Sequence, residues 1–128
     1  MFDFTVTTDK TIHDAIQRLE EKLKEEKFGV LWMFDIKDKL QEKGIEFEKE
    51  FKVLEVCNPI EAQRVLSENN MAGYFLPCKI VVYEDKGHTH IGMPRPTALI
   101  SMLNDNKMEN LAKDIEERLI NCMNKAVE

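Results

Sequence analysis

The chain has 128 residues, of which 43% are hydrophobic and 33% charged, and its 24 acidic and 18 basic residues give a net charge of −6. This size and composition are typical of one globular domain, which we place over residues 1–128, and exclude a disordered chain. Basic residues are interleaved with acidic ones and no apolar run approaches the roughly 20 residues of a membrane span, so neither nucleic acid nor a membrane is an expected partner.

The first half of the chain predicts three strands and two helices. In chain order they are a strand at residues 2–7, a helix to about residue 27, a strand at 30–34, a helix at 36–43 and a strand at 45–56. Thr8 and Asp9 are the candidate caps of the first helix. Asp35 opens the second, and Gly44 ends it. The third strand changes the parity of its apolar side chains near Lys52, which predicts a β-bulge or a bend there.

The second half predicts a helix, a hairpin and a final helix. They are a helix to about residue 68, strands at 80–83 and 89–93 around an Asp85-Lys86-Gly87 turn, one or two helical turns at 97–103, and a helix capped by Asp105. Asn58 is a preferred N-cap, Pro59 suits the first helical position, and Glu61 can reach back to the Asn58 amide. The order β-α-β-α-β-α-β-β-α indicates an α+β fold of two layers, with helices on one face of a mainly antiparallel five-stranded sheet.

The other face of the sheet carries aromatic residues that the helices are not expected to cover. They are Trp32, Phe34, Phe47 and Phe51. A homodimer would bury this surface, and we expect one.

Cys57 is the first candidate for chemistry, because it lies at a strand end just before a helix cap. Amides and the helix dipole there can lower the pKa of a thiol, although a buried, unreactive cysteine is the common alternative. Cys57 and Cys78 could serve together as ligands of a soft metal or as a redox pair. They meet only if the loop at residues 69–76 returns the chain to the same end of the sheet. Cys122 lies in a helical apolar stripe and is interpreted as packing.

His88 and His90 are two residues apart and therefore share a sheet face. A tight turn places Asp85 opposite His88 and Tyr83 opposite His90. Such a cluster could hold a transition metal such as zinc. The alternative is a polar hairpin tip without a resident metal.

Two stretches of the sequence resemble the domain of unknown function 302 family. They are residues 53–59, Val-Leu-Glu-Val-Cys-Asn-Pro, and residues 76–84, Leu-Pro-Cys-Lys-Ile-Val-Val-Tyr-Glu; the Phe-Gly-Val-Leu turn at 28–31 is similar as well. The resemblance implies a small α+β protein of bacterial or archaeal origin, uncharacterised and without an established activity. It places the family's motifs on Cys57-Asn58-Pro59 and Leu76-Pro77-Cys78.

No phosphate-binding glycine loop, nucleophile elbow or zinc-protease motif is present. The first hypothesis is therefore a cytoplasmic domain that binds a small ligand or soft metal near Cys57, with Asn58 and Cys78 as further ligand-binding candidates. A thiol-dependent enzyme or redox protein using Cys57, with Cys78, is one alternative. A module that binds another protein through its open sheet face is the other.

Overall fold

The computed structural model describes all 128 residues and contains one five-stranded sheet that is antiparallel throughout, in the order β1-β5-β4-β3-β2. The strands are β1 (Asp3–Thr8), β2 (Gly29–Asp35), β3 (Phe51–Cys57), β4 (Cys78–Asp85) and β5 (His88–Pro94). The helices are α1 (Ile12–Glu25), α2 (Ile36–Glu42), α3 (Pro59–Glu68), α4 (Pro96–Ile100) and α5 (Asn106–Ala126), with 3₁₀ turns at Asn70–Tyr74 and Ser101–Leu103. The predicted fold class and element order are confirmed.

The hydrophobic core lies between one face of the sheet and the two long helices, α1 and α5. Its fully buried side chains include Leu19, Leu23, Leu54, Val56, Ile80, Val82, Ile91, Leu119 and Met123. Because alternate residues of a strand point to opposite faces, the same strands present a second, open face. None of the helices is both long and apolar enough to cross a membrane.

Three of the predicted helix boundaries are confirmed by their caps. The side chain of Asp35 accepts a hydrogen bond from the amide of Asp38, and that of Asp105 accepts one from the amide of Met108. Gly44, just beyond α2, has a φ of +74°, a conformation that favours glycine. The predicted cap of α1 at Thr8-Asp9 is wrong, because Thr11 accepts from the amide of Asp14 instead.

The predicted bulge in the third strand is not present, whereas the alternative of a bend is found at Lys49, just before β3 begins at Phe51. β3 pairs with β4 without any shift in register. The irregularity in its pairing with β2 lies in β2, between Val30 and Trp32. Leu54 belongs to the core, whereas Val53, on the open face, is also buried, with 8% of its surface exposed. β3 is therefore apolar on both faces, and this pattern needs no change of parity.

Candidate functional site

The two motif cysteines lie at the same end of the sheet. β3 ends at Cys57 and the antiparallel β4 begins at Cys78, with Val56 directly opposite Cys78. The 3₁₀ turn Asn70–Tyr74 and the following segment return the chain after α3 to the end of the sheet where Cys57 lies. Cys57 and Cys78 are therefore at the same end. Both cysteines line an internal pocket of about 10 Å³. We call this edge of the molecule the cysteine end.

Cys57 does not have the environment of an activated thiol. The amides of Ile60 and Glu61 donate to the Asn58 side chain, and the amide of Ala62 donates to the Asn58 carbonyl. Since Pro59 has no N–H group, the first turn of α3 has no amide left for the sulfur. Burial raises the pKa of the Cys57 thiol, so the expectation of a lowered pKa is wrong.

Cys78 and Cys122 are still less acidic. Burial raises the pKa of Cys78 to about 11, and the nearby Cys57 and Glu55 add to the shift because a second negative charge is unfavourable beside them. Burial likewise raises the pKa of Cys122 to about 11, and its thiol donates to the Lys22 carbonyl. Cys122 is 1% exposed, which confirms its interpretation as packing.

Iodoacetamide is expected to alkylate Cys57 at pH 7 more slowly than it alkylates free cysteine, because the raised pKa leaves less thiolate and the side chain is half-buried. Cys78 and Cys122 should react more slowly still. Peptide mass spectrometry after timed quenching measures each rate, and the urea-unfolded chain is the control in which all the thiols react alike. A Cys57 rate equal to that of free cysteine, or above it, would contradict this prediction and favour the thiol-dependent alternative.

A larger groove opens beside the cysteines, and we call it the cysteine-end groove. It has a volume of about 660 Å³ and is lined by Leu31, Trp32, Glu55, Tyr74, Phe75, Leu76, Pro77, Cys78, Lys79, Met93, Pro94, Pro96 and Leu99. Of the predicted ligand-binding residues, only Cys78 reaches it; Cys57 and Asn58 line the small pocket behind. The other lining residues come from β2, β3, β4, β5, α4 and residues 74–77, and of these only Leu76 and Pro77 belong to a family motif.

An ion-pair cluster holds α3 against α1 and α5 behind the motif. Glu61 does not reach back to the Asn58 amide as predicted; its carboxylate accepts from Arg64 and from Arg118, the latter at 2.9 Å. Arg118 also donates to the carboxylate and to the carbonyl of Glu26, and it lies over the ring of Phe28. Burial alone would lower the pKa of Arg118, but these carboxylates raise it, so the guanidinium remains charged. Sequence spacing does not reveal this cluster, because its members are up to 92 positions apart.

The histidines of the hairpin have the predicted register, with Asp85 opposite His88 and Tyr83 opposite His90. Nδ1 of His88 lies 2.9 Å from a carboxylate oxygen of Asp9, and the ring of His90 stacks on Tyr83 at 5.0 Å. No three side chains among His, Cys, Asp and Glu come together in a group that could hold a metal ion, either here or at the cysteine end. The donor set for a zinc site is therefore incomplete at both places.

Residues 4–126 match the family described as "Domain of unknown function DUF302". The chain is also similar to the crystal structure of the uncharacterised conserved protein DUF302 from Bacillus stearothermophilus. The two sequences are 53% identical, the match covers 98% of each chain, and the TM-score is 0.96. No curated protein matches significantly. The chain belongs to the DUF302 family.

Proposed function

We propose that this protein binds a small amphipathic organic molecule in the cysteine-end groove. The observation that carries the proposal is the groove itself: about 660 Å³ of space, lined mostly by apolar side chains and by the whole Leu76-Pro77-Cys78 motif. Ligand sites of this kind usually occupy about 300–1,000 Å³ and combine apolar walls with a few polar groups.

The walls of the groove suit a ligand with an aromatic or aliphatic body. Trp32 is 57% exposed and Tyr74 is 81% exposed, whereas Phe75 and Leu76 are half-buried and continuous with the core. Large exposed aromatic side chains lose unfavourable contact with water when a ligand covers them. An apolar ligand body would therefore gain contact area on both sides of the groove.

Glu55 and Lys79 supply the polar part of the site. They are opposite one another on β3 and β4, and both line the groove. A carboxylate and an ammonium group side by side favour a ligand head that both donates and accepts hydrogen bonds. This pair supports an amphipathic ligand rather than a plain hydrocarbon.

The sulfur of Cys78 would contact the ligand as a neutral, polarisable group. Its raised pKa keeps it protonated at neutral pH. Cys57 and Asn58 would act from behind the wall, where Asn58 holds the start of α3 and Cys57 lines the small pocket. The proposed contact residue is therefore Cys78, with Cys57 and Asn58 as its support.

The fluorescence of Trp32, the single tryptophan of the chain, provides the test. Anilinonaphthalene sulfonate should bind in the groove and accept energy from Trp32. Leu99→Glu places a charge on the apolar wall and should weaken this binding by about tenfold. Ile60→Glu, at an exposed position outside the groove, is the matched control and should leave it unchanged.

Equal binding by the two variants, with unchanged melting temperatures, would contradict the proposal, as would the absence of energy transfer in the wild-type protein. Native mass spectrometry of the purified protein then identifies the class of any molecule that it retains.

A further inference from the structure

We infer that the open face of the sheet binds the same face of a second copy of this chain, around a two-fold axis that runs along the strands between β3 and β4. The inference does not rest on the proposed ligand, although Trp32, Glu55 and Lys79 belong to both surfaces. It begins with a stripe of aromatic side chains that crosses the open face from β2 to β5. Its members are stacked in pairs, namely Trp32 on Phe34, Phe51 on Tyr83 and Tyr83 on His90, with centroid distances of 5.0–5.3 Å.

The size of this face suits a dimer with a small interface. The axis leaves β1 outside the contact, so four strands spaced at about 4.8 Å and roughly 20 Å long give a flat overlap of about 400 Å². The accessible surface exceeds this overlap because side chains protrude from it, and the interface therefore lies at the low end of the size range of specific complexes. Two such sheets pack about 10 Å apart, with their strands nearly aligned.

The sheet register fixes which side chains would meet around the proposed axis. The axis exchanges β3 with β4 and β2 with β5. In the sheet register, Phe34, Val53, Val81 and Gly92 lie at one level. The ring of Phe34 on β2 would therefore pack on the side chain of the partner's Thr5, which covers Gly92 and lies 3.0 Å from the position that a Cβ atom on that glycine would take. Phe51 would face Tyr83 of the partner subunit at the next level.

The charges on the face are complementary around the same axis. Glu55 and Lys79 are opposite one another across β3 and β4, so each Glu55 would face Lys79 of the partner subunit. An isologous interface brings a patch against itself, and a patch of one sign would repel its copy. A face that pairs one acid with one base across its centre avoids that repulsion. Because both residues also line the cysteine-end groove, the second copy would close the groove on that side.

Light scattering after size exclusion, at micromolar concentration and without ligand, should give twice the 15.0 kDa mass of one chain. Phe34→Glu should raise the dimer dissociation constant about thirtyfold or more, as expected when a charge replaces an aromatic residue that the interface covers. Ile60→Glu, on α3 away from this face, is the control and should remain dimeric. A monomeric wild-type mass would overturn the inference, as would a Phe34→Glu variant that dimerises as well as the control.

Charge exchange tests the position of the axis in variants that keep the aromatic stripe. Lys79→Glu should weaken the dimer, because the new carboxylate would face the carboxylate of Glu55 of the partner subunit in both symmetry-related contacts. Adding Glu55→Lys to it should restore the dimer. Restoration fails if the axis lies elsewhere. Leu99→Glu, the groove variant, should remain dimeric, so loss of dye binding and loss of the dimer are separate results.

Discussion

Arg118→Ala is expected to lower the free energy of unfolding by about 3 kcal/mol, the low end of the cost of breaking a buried ion pair. The side chain of Glu61 is only 7% exposed and would lose one of its two arginine partners. The carbonyl of Glu26 would lose a donor, and the ring of Phe28 would lose its covering guanidinium. Urea unfolding followed by circular dichroism measures the change.

Arg64→Ala is the matched control for Arg118→Ala, because it removes the other guanidinium from the same carboxylate. Arg64 is 46% exposed, so its removal should cost less than about 1 kcal/mol. The double variant Glu61→Leu/Arg118→Met should recover much of the lost stability, since apolar side chains leave no charge buried alone. If the two single variants lose the same free energy of unfolding, Arg118 stabilises the buried charge of Glu61 no more than Arg64 does, which would contradict the prediction.

Asn58→Ala is expected to cost about 2 kcal/mol, the upper end of the usual effect of losing a helix N-cap. Its side chain accepts from the amides of Ile60 and Glu61 and donates to the carbonyl of Glu26, and the residue is 5% exposed. The change therefore leaves buried amides without a partner as well as removing the cap. The same urea titration, at unchanged slope, gives the value.

Asn69→Ala is the control for the loss of an asparagine cap. Asn69 accepts from the amide of Met71 and caps only the 3₁₀ turn that follows α3. Its removal should cost less than about 1 kcal/mol. If both substitutions cost the same, the motif asparagine contributes no more than an ordinary cap, and its link to Glu26 is unimportant. The comparison separates helix capping from the docking of α3 against the end of α1.

Features set by neighbouring residues were predictable from the sequence. Each of these features depends on a single turn of chain. They are the caps at Asp35, Asn58 and Asp105 and the pairing of Tyr83 with His90. The family motifs also lie within short stretches, and the resemblance to the DUF302 family is confirmed over residues 4–126. The candidate site was predictable only in part: the motifs indicate the cysteine end, but of their residues proposed as ligands only Cys78 lines the groove.

The misplaced start of β3 and the misassigned contact of Glu61 have a common physical cause, which is that the deciding partner is distant in the sequence. β3 begins at Phe51 rather than at residue 45, because a strand extends only where β2 and β4 supply partners, and their pairing ends at Lys52 and Phe51. The Glu61 carboxylate turns to Arg118, 57 positions away, rather than to the adjacent cap.

By itself, the sequence determined the order of strands and helices, the caps at Asp35, Asn58 and Asp105 and the hairpin register, because hydrophobic period, cap chemistry and turn chemistry act over a few residues. The tertiary structure alone decided that the start of β4 returns to the end of β3, that burial raises the pKa of the Cys57 thiol, and that distant segments enclose one groove. The acidity of a thiol and the walls of a cavity depend on which groups surround them in space. Only packing fixes those neighbours.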